Sequence, residues 1–225
     1  MTMLALLCAA GLAVALLHGV LVAPRLPEPP DGEELGKLPY SALVTPRRVA
    51  ALVVLAAAAQ AALLLPPGHL RPAWLVYGSA VAALIWVDAC TTWLPIKLTW
   101  LAWGEMAVAV GVTGVLASDW RPAVGMIVGA AAAAGLLWVF WRLSRGGVGF
   151  GDVRLAPLVG AMAATMGVTG WLSAMLAGSA LGVVWGLLVA RTHPAPGTAR
   201  GFAYGPALWA GPYIALLWST LANAG

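Results

Sequence analysis

Three acidic residues of this chain sit in or beside apolar stretches: Asp88, Asp152 and Glu105. Ionisable groups are expensive there, so each calls for a reason. Asp88 closes an apolar run in IWVDACTTWLP, and Asp152 follows a glycine-rich run in GGVGFGDVRL. Two carboxylates brought to one depth of a helical bundle can meet across a small water-filled cleft. Close carboxylates cannot both ionise cheaply, so they share a proton. The ionised one can take a proton from water, and that water attacks a peptide carbonyl polarised by the protonated one. Such a pair titrates as a unit, which leaves acid and base unassigned between the two. Gly147, Gly149 and Gly151, ahead of Asp152, permit backbone geometry and a close substrate approach that side chains would forbid.

The elements that must position these acids are membrane spans. Of 225 residues, 62% are hydrophobic and only 9% charged, against roughly a quarter charged in an ordinary soluble domain. That much apolar surface must face lipid. The expected fold is all-α, a polytopic transmembrane bundle of about eight spans, each needing roughly 20 apolar residues. They read as Met3–Val22, Val49–Leu65, Ala73–Asp88, Leu98–Ala117, Pro122–Leu143, Val153–Val168, Trp171–Ala190 and Ala203–Leu221. Breakers mark the joints: Pro66-Pro67-Gly68, Pro95, Pro122, the Gly146–Gly151 run and Pro194 to Gly197. The joint near Gly167–Gly170 is the shortest. Fusing the two spans there would give seven. The organisation is thus a first span (1–22), a short Pro-rich loop (23–48) with the acids Glu28, Asp31, Glu33 and Glu34, and a seven-span core (49–225). Met1 to Val22 lacks a basic flank and is read as a retained span rather than a cleaved signal.

Orientation follows from the basic residues. With the N-terminus outside, only Arg71 and Arg121 of the 12 basic residues fall on the outer side. The bias favours eight spans and puts Asp88 and Asp152 at the cytosolic face. Trp74, Trp120, Trp141 and Trp171 lie near span ends, as interfacial anchors should. Gly178, Gly182 and Gly186, and again Gly125 and Gly129, are spaced for close helix approach. Cys8 and Cys90 read as packing residues. His18, His69 and His193 are scattered, so no metal site or cofactor is expected. Glu105 reads as a hydrogen-bonded interhelical residue, and Lys97 and Arg154, which flank the aspartates, as positive-inside anchors that could also hold substrate. GGVGFG lacks the preceding strand of a dinucleotide loop, and no basic, aromatic-interleaved patch suggests nucleic acid.

The chain resembles the type IV prepilin peptidases. GFGD at Gly149–Asp152 is similar to their G-x-G-D motif, continued by Val153-Arg154-Leu155. VDACTTWLP at Val87–Pro95 resembles their first aspartate motif, an Asp with Pro seven residues on. Tyr204-Gly205-Pro206-Ala207-Leu208 is similar to their late F-G-P-F-L, and LHGVLVAPRLP at Leu17–Pro27 to their N-V-V-I-x-R-L-P element. The resemblance implies an aspartic endopeptidase of a bacterial inner membrane, cutting leaders of pilin, pseudopilin or Tad-type precursors on the cytosolic side. It implies Asp88 and Asp152 as the catalytic pair, with Gly147, Gly149, Gly151, Pro95, Lys97, Arg154, Gly205 and Pro206 shaping the site or meeting substrate. The first loop is short and has no cysteine. The two C-x-x-C pairs of many members are therefore missing, which argues against their zinc ribbon and N-methyltransferase activity. Ile96 and His18 also depart from the family pattern. The rival reading is a non-catalytic membrane protein, either a transporter-like component or an inactive scaffold of a pilus or secretion assembly. A transporter should show repeats or helices broken at the midplane, and neither is read here. A different intramembrane G-x-G-D protease fits the late Gly-Pro motif less well.

Overall fold

The computed structural model describes residues 2–28, 37–144, 149–192 and 203–222. Among these every regular element is helical, and six helices are long and apolar enough to cross a membrane. This is a membrane protein. Gly147 and the loop acids Asp31, Glu33 and Glu34 lie outside the described residues, as do Arg145, His193, Arg200 and the Pro194–Gly197 breaker. The chain forms two compact units, Met1–Val124 and Gly125–Gly225.

In the first unit, α1 (Thr2–Leu16) continues through a π-helical turn, Leu17–Val22, and a short 3₁₀ turn, Ala23–Arg25. Helix α2 spans Pro46–Ala61, with Thr45 as its cap: the Arg48 N–H donates to Thr45 Oγ1 at 3.4 Å. Pro46 begins the helix where a missing N–H costs nothing. Next come α3 (Arg71–Val76), a second π-helical turn at Tyr77–Val81 and α4 (Ala82–Thr91), which run on as one helix. This is the enclosed helix of the unit, with most of its length buried. Trp74, Tyr77, Leu84 and Ile85 are all buried in it. Trp74 is therefore a core residue, set edge-on to Tyr77 at 6.0 Å, and not the interfacial anchor its position suggested. Helix α5 (Ile96–Ala117) ends at Ser118 in a left-handed conformation.

Small residues set the spacing in this unit. A side chain at Gly78 would meet the amide of buried Gln60 at 3.0 Å, and one at Gly11 would press on the same amide. Gln60 Nε2 donates to Leu75 O at 3.4 Å, so a polar group inside the bundle is met by backbone beside the second π turn. Glu105 on α5 meets His18 on the first π turn, Nε2 to Oε1 at 3.1 Å. This is the interhelical role expected for Glu105, and it gives the Nε2 of buried His18 a partner. A wide π turn shifts the register of everything after it, and such turns often accompany functional positions.

Helix α6 (Arg121–Leu143) runs into the second unit, followed by α7 (Phe150–Ala164), α8 (Gly167–Thr192) and α9 (Gly205–Ala222). Helices α7 and α8 are separate: the chain turns at Thr165 and Met166, and Gly167 takes φ 74°, a conformation suited to glycine. With 15 residues α7 is short for a span, and α9 has 18 residues interrupted by Pro212. Helices α6 and α7 cross backbone to backbone, with Gly160 O 2.6 Å from where a Gly129 Cβ would lie. Trp171 Nε1 donates to Gly129 O at 3.1 Å, which closes α8 onto the crossing. Gly178 faces the Leu208 backbone of α9, and Gly182 faces the Tyr204 ring just before it, so both do the packing expected of them. Gly125 does not: among the described residues a side chain there would meet open space.

Candidate active site

Asp88 lies in the last turn of α4 and is only 5% exposed. Its peptide ends the helix: Thr92 N–H donates to Asp88 O at 2.6 Å, and Thr92 takes φ 58° and ψ 26°. A β-branched residue in that left-handed region is an outlier, and such strain gathers at functional positions. The following turn is held by side chains. Thr91 Oγ1 donates to Val87 O at 2.9 Å and accepts from Trp93 N–H at 3.2 Å. Buried Pro95 then caps α5, and Thr99 Oγ1 donates to Pro95 O at 3.0 Å. The Asp88-to-Pro95 spacing is thus the length of one tight, braced turn between two apolar helices. Lys97, in the first turn of α5, is exposed.

The first loop also reaches this turn, a contact that no motif foretells. Glu28 Oε2 accepts from Tyr40 N–H at 2.9 Å, and Oε1 accepts from Ser41 N–H at 3.1 Å. Arg48 Nη1 donates to Ala42 O at 2.7 Å, and Trp86 Nε1 on α4 donates to Arg48 O at 2.9 Å. The loop is thereby laced to α2 and α4, with Tyr40 buried. Lys37 Nζ stands 4.6 Å from the Trp93 ring centroid, a cation–π contact. Burial pulls the Lys37 ammonium below the usual lysine range, and the Asp88 carboxylate opposes that pull. Burial first, then the Glu28 and Asp88 carboxylates, push the Tyr40 phenol up to about 12. Lys37, Tyr40 and Glu28 therefore belong to the surroundings of Asp88. No periodicity or motif joins 28, 37 and 40 to 88, so no local signal could have found them.

In the second unit, Asp152 lies in the first turn of α7, where the helix dipole favours a negative charge. Gly149 caps the helix at φ −69° and ψ 140°, and its carbonyl accepts from Asp152 N–H at 3.1 Å. A Cβ on Gly149 would stand 3.2 Å from Asp152 Oδ2. The glycine three positions before the aspartate therefore leaves the space that the carboxylate uses. It needs no unusual backbone angle, so room and not conformational freedom is the reason for it. Gly151 sits in the same first turn. The Arg154 guanidinium lies over the Phe150 ring at 4.8 Å, and Phe150 meets Trp141 of α6 edge-on at 5.0 Å. Gly205 and Pro206 open α9, with Ala207 N–H and Leu208 N–H donating to Tyr204 O at 3.1 and 3.2 Å. Proline suits that first turn, so this motif starts a helix.

The structure thus groups Asp88 with Pro95 and the loop residues, and Asp152 with Gly149, Gly151 and Arg154, each set in its own unit. Among the described residues no three His, Cys, Asp or Glu side chains gather as a metal site would require. No family model, curated protein or solved structure matches the chain.

Proposed function

We propose that this protein is a membrane aspartic endopeptidase of the prepilin peptidase type. On this reading it has eight spans with the N-terminus outside a bacterial inner membrane. It cuts pilin, pseudopilin or Tad-type precursors at the cytosolic face, where a basic leader meets an apolar helix. The observation that carries the reading is the Asp88 carboxylate, 5% exposed at the end of an apolar helix. Burying an acid there costs free energy that a purely structural turn has no need to spend. The space that Gly149 leaves for the Asp152 carboxylate supports the same reading from the other motif.

The reading requires the two carboxylates to share one proton and one water. The ionised carboxylate accepts a proton as the water oxygen bonds to the scissile carbonyl carbon. The protonated one donates to the carbonyl oxygen. Collapse of the tetrahedral diol breaks the C–N bond: the leaving amine takes a proton from the carboxyl that accepted one from water, and a diol hydroxyl returns its proton to the other carboxylate, restoring one shared proton. The reaction as written uses only water and the two acids.

The test is reconstitution in phospholipid vesicles with a synthetic prepilin whose leader ends in Gly. Wild type should cut at that junction. Asp88→Asn and Asp152→Asn should each abolish cutting while the protein stays folded and inserted. Undiminished cleavage by either variant would sink the pair. Wild-type protein that is folded yet inert towards pilin, pseudopilin and Tad-type substrates would favour the scaffold or transporter-like reading instead.

A further inference from the structure

We infer that Lys37 is a positioning residue of the Asp88 site, held there by the strap Lys37–Ala42 that Glu28 clamps. The inference rests on the peptidase reading and adds a residue to it. Three contacts fix the strap. Glu28 takes two consecutive backbone N–H groups, those of Tyr40 and Ser41. Arg48 takes the carbonyl of Ala42. The Tyr40 side chain is 3% exposed, so the middle of the strap is sunk into the unit. Its leading end puts the Lys37 ammonium on the face of Trp93 at 4.6 Å. Trp93 belongs to the turn that Asp88 O closes through Thr92 N–H. Lys37 and Asp88 thus both adjoin one turn, and the strap that brings the cation is fastened at residues 40–42.

An ammonium near a carboxylate favours its ionised form. Lys37 would therefore keep the aspartate site ready to accept the proton from water, acting through Asp88 and without touching the peptide. Among the described residues, the other charged or titratable groups on the elements at this end of α4 are Arg25, Glu28 and Tyr40 on the loop, Arg47 and Arg48 on α2, Cys90 on α4 and Lys97 on α5. Lys37 is the cation whose ammonium the strap places against the turn itself. Its half-buried position makes the effect moderate.

The experiment uses the full-length protein in vesicles with the synthetic prepilin. Lys37→Met should lower kcat by about threefold to tenfold, with KM unchanged, and move the acid limb of the pH–rate profile upward by roughly half to one pH unit. Lys37→Arg should restore the profile. Hydrogen exchange supplies a readout independent of activity. Lys37→Met should leave the Tyr40 and Ser41 amides protected. Glu28→Gln should expose them at least about tenfold and lower kcat in the same direction. A Lys37→Met enzyme with the wild-type profile, or one changed only in KM, overturns the inference while leaving the peptidase reading intact. So does loss of amide protection in Lys37→Met, because Lys37 would then be holding the loop and not the charge. Should Lys37→Met fail to insert, Lys37→Gln is judged by the same criteria. A folded wild type that cuts no substrate overturns the peptidase reading itself, and the positioning role of Lys37 falls with it.

Discussion

Substituting Gly149 separates room for the carboxylate from backbone freedom, the two reasons a G-x-G-D motif could need its glycines. The backbone at Gly149, φ −69° and ψ 140°, is one that alanine adopts without strain. Gly149→Ala should therefore leave stability within about 1 kcal/mol of wild type, and could raise it by restricting the unfolded chain. The new methyl would start 3.2 Å from Asp152 Oδ2. Ordinary carbon–oxygen contact begins a few tenths of an ångström farther out, so the carboxylate must retreat by about 0.2–0.4 Å. A misplacement of about 1 Å can cost 10²-fold in rate, so this retreat is worth about threefold to sixfold in kcat/KM. Gly149→Val extends the same clash and should cost on the order of 10²-fold. The assay is prepilin cleavage in vesicles, run beside thermal unfolding of each variant. Full activity in both variants would refute the argument from room. Loss of activity that merely tracks loss of fold would show that the glycine serves the backbone after all.

Other expectations follow from the same contacts. Thr92→Gly removes a β-branched side chain from φ 58° and should stabilise the protein by about 0.5–1 kcal/mol in detergent unfolding, net of glycine's entropy. A destabilised variant would mean that the Thr92 side chain is needed in the turn. His18 and Glu105 should show a coupling of about 0.6–1.7 kcal/mol in a double-mutant cycle of alanine variants read by unfolding, and strict additivity would remove the interhelical role assigned to them. Gly129→Ala should destabilise the second unit by more than about 2 kcal/mol, because its methyl would meet Gly160 O at 2.6 Å. Gly125→Ala, with open space around it among the described residues, should stay within about 0.5 kcal/mol of wild type. Equal effects at Gly129 and Gly125 would mean that the close crossing of α6 and α7 does not decide stability.

The contrast between those two glycines shows what sequence spacing can and cannot tell. Four-residue spacing says that Gly125 and Gly129 share a helix face, and they do. It does not say whether a neighbouring backbone reaches both levels of that face, and here one reaches only Gly129. Trp74 failed for a related reason. Proximity to the end of an apolar stretch suggested an interfacial anchor, but the helix that carries it is the one the rest of its unit encloses. Hydropathy measures how apolar a segment is, not which of several apolar segments lies in the middle. The helix boundaries were more accessible because they rest on local chemistry. Pro95 and Pro122, read as joints, stand at the starts of α5 and α6, and the glycine at Gly167 lets the chain turn between α7 and α8.

The same distinction runs through the candidate site. Asp88 and Asp152 could be picked out as acids in or beside apolar runs, Gly149 as part of the glycine run and Pro95 through the family resemblance, and each lies along one turn or one helix start. Lys37, Tyr40 and Glu28 could not, although Lys37 meets the Trp93 ring of the Asp88 turn and Glu28 holds the Tyr40 amide of the same loop. In sequence they sit in a Pro-rich segment whose charges look like those of any solvated loop. Two carboxylate–amide bonds and a buried tyrosine turn that segment into part of the wall. A short first loop can thus serve the aspartate it covers, and shortness alone does not make it a mere connector. On the peptidase reading, with Lys37 positioning the acid, the strap stays in place while a leader reaches Asp88, so the leader meets the turn and not the strap. A leader analogue carrying a photoreactive group at its Gly junction should therefore label the Asp88–Pro95 turn in wild type. Labelling should spread onto residues 37–42 in Glu28→Gln, once the strap is released. Labelling of 37–42 already dominant in wild type would mean that the strap is displaced by substrate and does not stay to position the acid.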